Sequence, residues 1–255
     1  HIERFRPLLR LAILTGFLGY SSFAILLLYD LGVPYRIWHA IIFWQHHSVL
    51  FEVAWCVMLY LTVLALEFAP VVLEHPLFSH PVFGKTLQIL KKATIPLVVA
   101  GIVLSTLHQS SLGSLFLITP SRLHPLWYSP IIWILFFVSA VAMGLMAVTV
   151  ESFFSAWFFG HKLRMDLLSQ MGKAASIVLF AYAGLRLGDL TVREDIGLAF
   201  QGNWQALLFL FELSVSALIP ATLLLFRRVR TSPAGLATCA GMTVVGMIGY
   251  RFNVC

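Results

Sequence analysis

Charge is scarce in this chain. Asp, Glu, Lys and Arg make up 11% of its 255 residues, against roughly 25% in an ordinary soluble domain. With 60% apolar residues and a mean hydropathy of +0.90, a water-soluble fold of this length could not hide its own surface, so lipid must solvate much of it. Cysteine is also rare. Cys56, Cys239 and Cys255 are far apart and form no CxxC or CxxCH pair, which removes the iron–sulfur, zinc and c-type haem signals. Ten-residue alternating strands are absent, which excludes a β-barrel. The net charge of +6 forms no basic stripe on a soluble face, so a nucleic-acid partner is not expected. No lysine lies deep inside an apolar run, which disfavours a retinal protein. A bilayer-embedded b-type haem would need histidines on facing helices. Only His108 falls at an apolar run, so no haem and no metal are expected.

What the chain does have is seven apolar runs, each near the roughly 20 residues that a bilayer core demands. They cover Leu8–Leu28, Val49–Ala69, Ala93–Leu107, Ile131–Val150, Leu167–Leu187, Trp204–Leu225 and Pro233–Tyr250. Pro34, Pro70, Pro120 with Pro125, and Pro233 mark the breaks between them. The expected fold class is all-α: a polytopic transmembrane bundle with seven spans and no sizeable soluble domain. Sorting Lys and Arg by side gives twelve against five. Arg36, Arg122, Arg186, Arg193 and Arg251 make up the poorer side, and the positive-inside rule turns that side outward. The outer segments are rich in histidine and aromatics, among them His39, His46, His47, His124 and Trp127. Most of the tryptophans read as belt residues at the membrane surface. Gly184 and Gly188 make a GxxxG spacing, read as close helix packing.

Ionisable groups inside spans are costly and default to functional candidates. By depth the expected order is Glu52 and His108 near the outer surface, Tyr20 and Glu212 in the middle, and Glu151 and Glu67 inside. Glu52 and Glu67 are about 60° apart on one helix and share a broad face. The layout suits a proton path serving a site near the outer face. Separate structural hydrogen bonds are the alternative, carrying equal weight for Glu67, Glu151 and Glu212.

The strings VLFE (49–52), ALEFAP (65–70), STLHQSSLGSL (105–115), HPLW (124–127), LRLGDL (185–190) and LAFQGN (198–203) occur in this order. Over essentially the whole length, the chain resembles the HybB-like membrane subunit of Ni/Fe hydrogenases, a branch of the NrfD/polysulfide-reductase membrane-anchor family. The resemblance implies a pair of four-helix bundles with no cofactor of their own. It implies electron exchange between a membrane quinone and an iron–sulfur, ferredoxin-like subunit docked on the periplasmic face. A catalytic subunit lies beyond it: a hydrogenase, a molybdoenzyme or a multihaem cytochrome. The implied location is the bacterial or archaeal inner membrane. Tyr20, Glu52, His108 and Glu151 match polar positions of this branch, and Glu67 lies in the matching ALEFAP string. The expected organisation is one transmembrane domain, residues 1–255, with a quinone-site half at 1–130 and a second half-bundle at 131–255. Starting at His1 and stopping at Cys255, the chain reads as an excerpt that lacks helices at both ends.

The expected chemistry follows. Menaquinone or ubiquinone is the substrate, with its head between the helices of Tyr20, Glu52 and His108. His108 donates a hydrogen bond or a proton to one carbonyl oxygen, and Glu52, partly desolvated, passes protons to the site. Glu151 and Glu67, with Tyr20 between them, link it to the cytoplasm. The alternatives are a secondary transporter, which broken helices and an inverted repeat would support, and a passive membrane anchor.

Overall fold

The computed structural model describes residues 2–45, 47–74, 80–118, 120–160 and 162–254; for residues 2–11, 81, 82 and 120 it describes the backbone path. His46, one of the outer histidines, and Cys255 therefore lie outside the described residues. Among the described residues the regular elements are all helical and no strand occurs. The main helices are α1 (Ile2–Asp30), α2 (His39–Ile42), α3 (Val49–Leu73), α4 (Pro81–Lys92), α5 (Thr94–Leu115), α6 (Ile132–Phe159) and α7 (Met165–Val192). After them come α8 (Trp204–Leu213), α9 (Ile219–Leu225), α10 (Arg227–Thr231) and α11 (Pro233–Val254). Seven helical runs among the described residues are long and apolar enough to cross a membrane, so the chain is a multi-pass membrane protein.

Local chemistry sets the ends of these helices. Ser48 caps α3, its hydroxyl accepting from the Phe51 amide at 3.4 Å. Asn203 caps α8, accepting from the Ala206 amide at 2.8 Å. Gly160, at φ 65°, ends α6 in the left-handed conformation that favours glycine. Within the spans, Thr62, Thr106 and Ser152 bond back to carbonyls of their own helices, so their hydroxyls reach the apolar phase already satisfied.

Several expected boundaries move. α3 runs through Pro70 to Leu73, so that proline is no break. α5 runs on to Leu115, beyond the run's expected end at Leu107, because the polar HQSSLGS stretch stays helical where its side chains meet partners. α6 continues past Val150 to Phe159 through an apolar, aromatic stretch. The sixth span is not a plain α-helix: a π-helical segment, Ser214–Leu218, separates α8 from α9. Such a segment leaves carbonyls out of the α-pattern and occurs often at functional sites.

The chain divides into two compact units, His1–Leu112 and Gly113–Cys255. In the first, α1 and α3 pack through Phe17 stacked on Phe68 at 5.4 Å, with Gly16 facing Leu64. Val63 and Tyr60 of α3 face Gly101 of α5. The second unit holds four spans. Its core includes Ile132, Leu135 and Met146 of α6, Leu179 of α7, Phe209 of α8 and Met247 of α11. A Cβ on Gly246 would come within 2.6 Å of Ser216 Cα, so α11 lies backbone to backbone against the π segment. Gly184 and Gly188 are different. A Cβ on either would meet nothing within 4 Å, so the GxxxG spacing makes no close helix contact among the described residues. Both face outward.

Candidate functional site: two polar clusters inside the helices

The first unit collects three of the expected site residues. Tyr20 of α1 and His108 of α5 approach with ring centroids 5.7 Å apart, and Tyr60 of α3 meets Tyr20 edge-on at 4.6 Å. One turn beyond His108, the Ser111 hydroxyl donates to Glu52 Oε1 at 2.7 Å. At about 1.5 Å per residue, His108 sits roughly 10 Å inside the end of α5. It is thus inside the span and buried, not at its edge, because the helix continues past it. His108 Nδ1 and Tyr20 Oη are both buried without a hydrogen-bond partner among the described residues. An unpaired buried polar atom is costly and rare, and here two sit on facing helices.

Glu52 accepts that one hydrogen bond from Ser111. It stands in the first turn of α3, exposed on this unit apart from its part-buried bond with Ser111. Glu67 is half-buried two turns beyond Tyr60, and a Cβ on Gly101 would lie 3.9 Å from its Oε1. Sequence reasoning missed Tyr60, whose ring meets Tyr20 edge-on and faces Gly101. Glu52, Cys56 and Tyr60 recur at a spacing of four, which puts them on one helical face; that spacing was the available signal. Glu151 belongs to the second unit, on α6, half-buried and roughly two turns from the helix end. It is not at the end of its span, because α6 is longer than the apolar run.

The second unit holds a denser cluster around Glu212. Arg186 Nη1 donates to Glu212 Oε1 at 3.1 Å, while Trp127 Nε1 and Asn253 Nδ2 donate to Oε2 at 2.7 and 2.9 Å. The pair is buried, with side-chain exposures of 4% for Arg186 and 3% for Glu212. Arg186 also donates to Tyr182 Oη, and its guanidinium stacks near the rings of Tyr250 (4.5 Å) and Phe209 (4.9 Å). Arg251 reaches inward as well, to Phe136 O and Ser139 Oγ, both at 3.0 Å. Two corrections follow. Arg186 and Arg251 are not loop charges, since both sit inside helices; Arg36, Arg122 and Arg193 remain as the basic loop residues of that side. Trp127 is not a belt residue, since it is buried and bonded to Glu212. The HPLW segment is pinned a second time, by Arg193 Nη2 donating to Pro125 O at 3.2 Å. Sequence reasoning missed the partners of Glu212, because hydropathy alone assigned Arg186 to a span end.

Seven apolar helical runs with polar clusters set inside them define an integral membrane protein built around buried polar chemistry. The chain belongs to the family described as "Polysulphide reductase, NrfD", whose family model matches residues 1–255. Among curated proteins, it is 32% identical to a probable Ni/Fe-hydrogenase 2 b-type cytochrome subunit of Escherichia coli, covering 98% of this chain and 64% of the relative. It is 28% identical to the integral membrane subunit of menaquinone reductase from Nitratidesulfovibrio vulgaris, covering 96% and 64%. A further protein of N. vulgaris is 38% identical over 100% of this chain and 66% of its own length. The chain thus spans just under two thirds of the curated relatives it matches. No solved structure matches it.

One relative's name mentions a b-type cytochrome. His108 is the one histidine within the seven candidate spans, and no group of three or more possible metal ligands occurs among the described residues. The seven described spans therefore hold no facing pair of histidines.

Proposed function

We propose that this chain is the quinone-reactive membrane subunit of a respiratory oxidoreductase complex. It passes electrons between a bilayer quinone and an iron–sulfur partner docked on the periplasmic side of an inner membrane. The observation that carries the reading is the pair of buried, unpartnered polar atoms on facing helices, His108 Nδ1 and Tyr20 Oη. They are the groups a quinone carbonyl would satisfy. Membership of the NrfD family and the likeness to a menaquinone reductase subunit support the same reading.

Reduction of a quinone to a quinol consumes two electrons and two protons, and the oxidation direction is the reverse. The electrons come from the docked partner and its catalytic subunit. The protein holds the head, orients it and moves protons. His108 and Tyr20 hydrogen-bond the head. Glu52, held by Ser111, exchanges protons at the more exposed end. Tyr60 and Glu67 extend the polar face of α3 towards the other end of the span, and Glu151 serves the cytoplasmic side from the second unit. If protons enter from the side opposite the electrons, turnover is electrogenic.

The test replaces Glu52 by Gln and His108 by Ala separately in the assembled complex and measures quinone-linked electron transfer. Loss in both supports the site, and near-normal rates in both remove it. The π segment within the sixth span is the one observation that favours the transporter alternative. A transporter would work without a redox partner, whereas this subunit should be inactive without one.

A further inference from the structure

Outside both polar clusters, the second unit carries an apolar groove of about 580 Å³ between α6 and α11. Its walls include Val150, Phe154 and Trp157 of α6 and Ala237, Gly241 and Val245 of α11. The groove exists because α11 presents Ala237 and Gly241 there, and a Cβ on Gly241 would meet nothing within 4 Å. It opens within a turn of the end of α6 and runs roughly two turns along the helices. The volume lies in the range of roughly 300–1,000 Å³ typical of small-molecule sites.

Basic residues gather at the end of the unit where α6 stops and α11 begins. α10 carries Arg227, Arg228 and Arg230 and folds tightly onto the start of α11, since a Cβ on Gly235 would come within 2.7 Å of Val229 O. Arg230 turns back to the carbonyls of Leu224 and Leu225, both at 3.4 Å. Arg227 and Arg228 are exposed and form no ion pair with a carboxylate among the described residues. Lys162 and Arg164, both exposed, follow the end of α6 at the same end of the unit. An apolar slot at the same end of the unit as these cations is complementary to one kind of molecule.

The geometry points to a binding site for an anionic phospholipid. One acyl chain lies in the α6–α11 groove, and the phosphate headgroup rests on Arg227 and Arg228 of α10. Each basic residue near an anionic headgroup layer adds attraction within a Debye length. Two of them imply a preference for an anionic over a zwitterionic lipid of roughly tenfold or more. The site is independent of the proposed quinone chemistry.

Trp157 is a built-in reporter, since it lines the groove and is 75% exposed. The full chain, in its complex, is reconstituted with lipids carrying bromine on the acyl chain, either phosphatidylglycerol or phosphatidylcholine. The quenching lost on Trp157→Phe isolates this one tryptophan. The expected result is strong quenching of Trp157 by brominated phosphatidylglycerol at about a tenth of the mole fraction that phosphatidylcholine needs. Arg227→Gln with Arg228→Gln should abolish that preference, and Gly241→Leu, whose Cβ enters open space, should fill the slot and abolish the quenching. Equal quenching by both lipids, or a preference that survives the arginine variants, would overturn the site and leave ordinary boundary lipid. Protection of Trp157 from both lipids would overturn it in favour of a protein segment covering the groove.

Discussion

Replacing Glu212 by Leu should be among the most damaging single changes in the second unit. Glu212 accepts from Arg186, Trp127 and Asn253, and both members of the Arg186–Glu212 pair are almost fully buried. Removing the carboxylate leaves a guanidinium inside the bundle with Tyr182 Oη and aromatic faces as its company. Breaking a buried pair on one side costs about 3–5 kcal/mol, because the remaining charge is uncompensated. At roughly 2–4 °C per kcal/mol for a chain of this size, the melting temperature should fall by on the order of 10 °C. Replacing both partners, Arg186→Met with Glu212→Leu, removes both charges and should recover most of the loss, since an apolar pair of similar volume is often as stable. Glu212→Gln keeps an acceptor for Trp127 and Asn253 and should fall between. The assay is thermal unfolding of the four proteins in one detergent. A Glu212→Leu protein melting within about 2 °C of the parent, or a double variant no better than the single, would refute the account of this pair.

Three further outcomes follow from the contacts. Tyr20→Phe removes a hydroxyl that has no partner, so melting should be unchanged or slightly raised while the KM for quinone rises roughly tenfold, the loss of one hydrogen bond to substrate; steady-state kinetics with a soluble quinone analogue check both. Ser111→Ala removes the 2.7 Å bond to Glu52 and should cost about 1 kcal/mol of stability, read by unfolding, and slow quinone-linked turnover. Gly246→Ala forces a Cβ into Ser216 and should destabilise by about 1–3 kcal/mol, whereas Gly241→Ala enters open space and should not; paired melting curves distinguish them.

Much of the fold could be read from hydropathy. All seven spans stand where apolar runs predict them, because about 20 apolar residues in series leave a helix little alternative to a bilayer. What hydropathy misjudged were the ends. It stops a span at the first polar residue, yet α5 continues through His108, packed against the Tyr20 ring, and Ser111, bonded to Glu52. It also sends an arginine outward, yet Arg186 turns in because Glu212 waits a helix away. The π segment in the sixth span had no legible signal, since Ser214–Leu218 reads as ordinary helix and only the close approach of Gly246 reveals its packing. In the candidate site, Tyr20 and His108 were legible as polar groups in apolar runs, and the structure brings their rings together edge-on. Tyr60 was hidden among aromatics that look like core, and Glu52 was legible as a carboxylate at the start of an apolar run, though its bond with Ser111 was not.

The central claim is that a quinone head is held in the first unit by His108 and Tyr20. The most direct test is the structure of the assembled complex with a quinone or a quinone-site inhibitor bound. The account predicts a carbonyl oxygen within hydrogen-bond distance of His108 Nδ1 or Tyr20 Oη, with Glu52 on the same side of the head. A head bound elsewhere, with those two atoms still unpartnered, would contradict it.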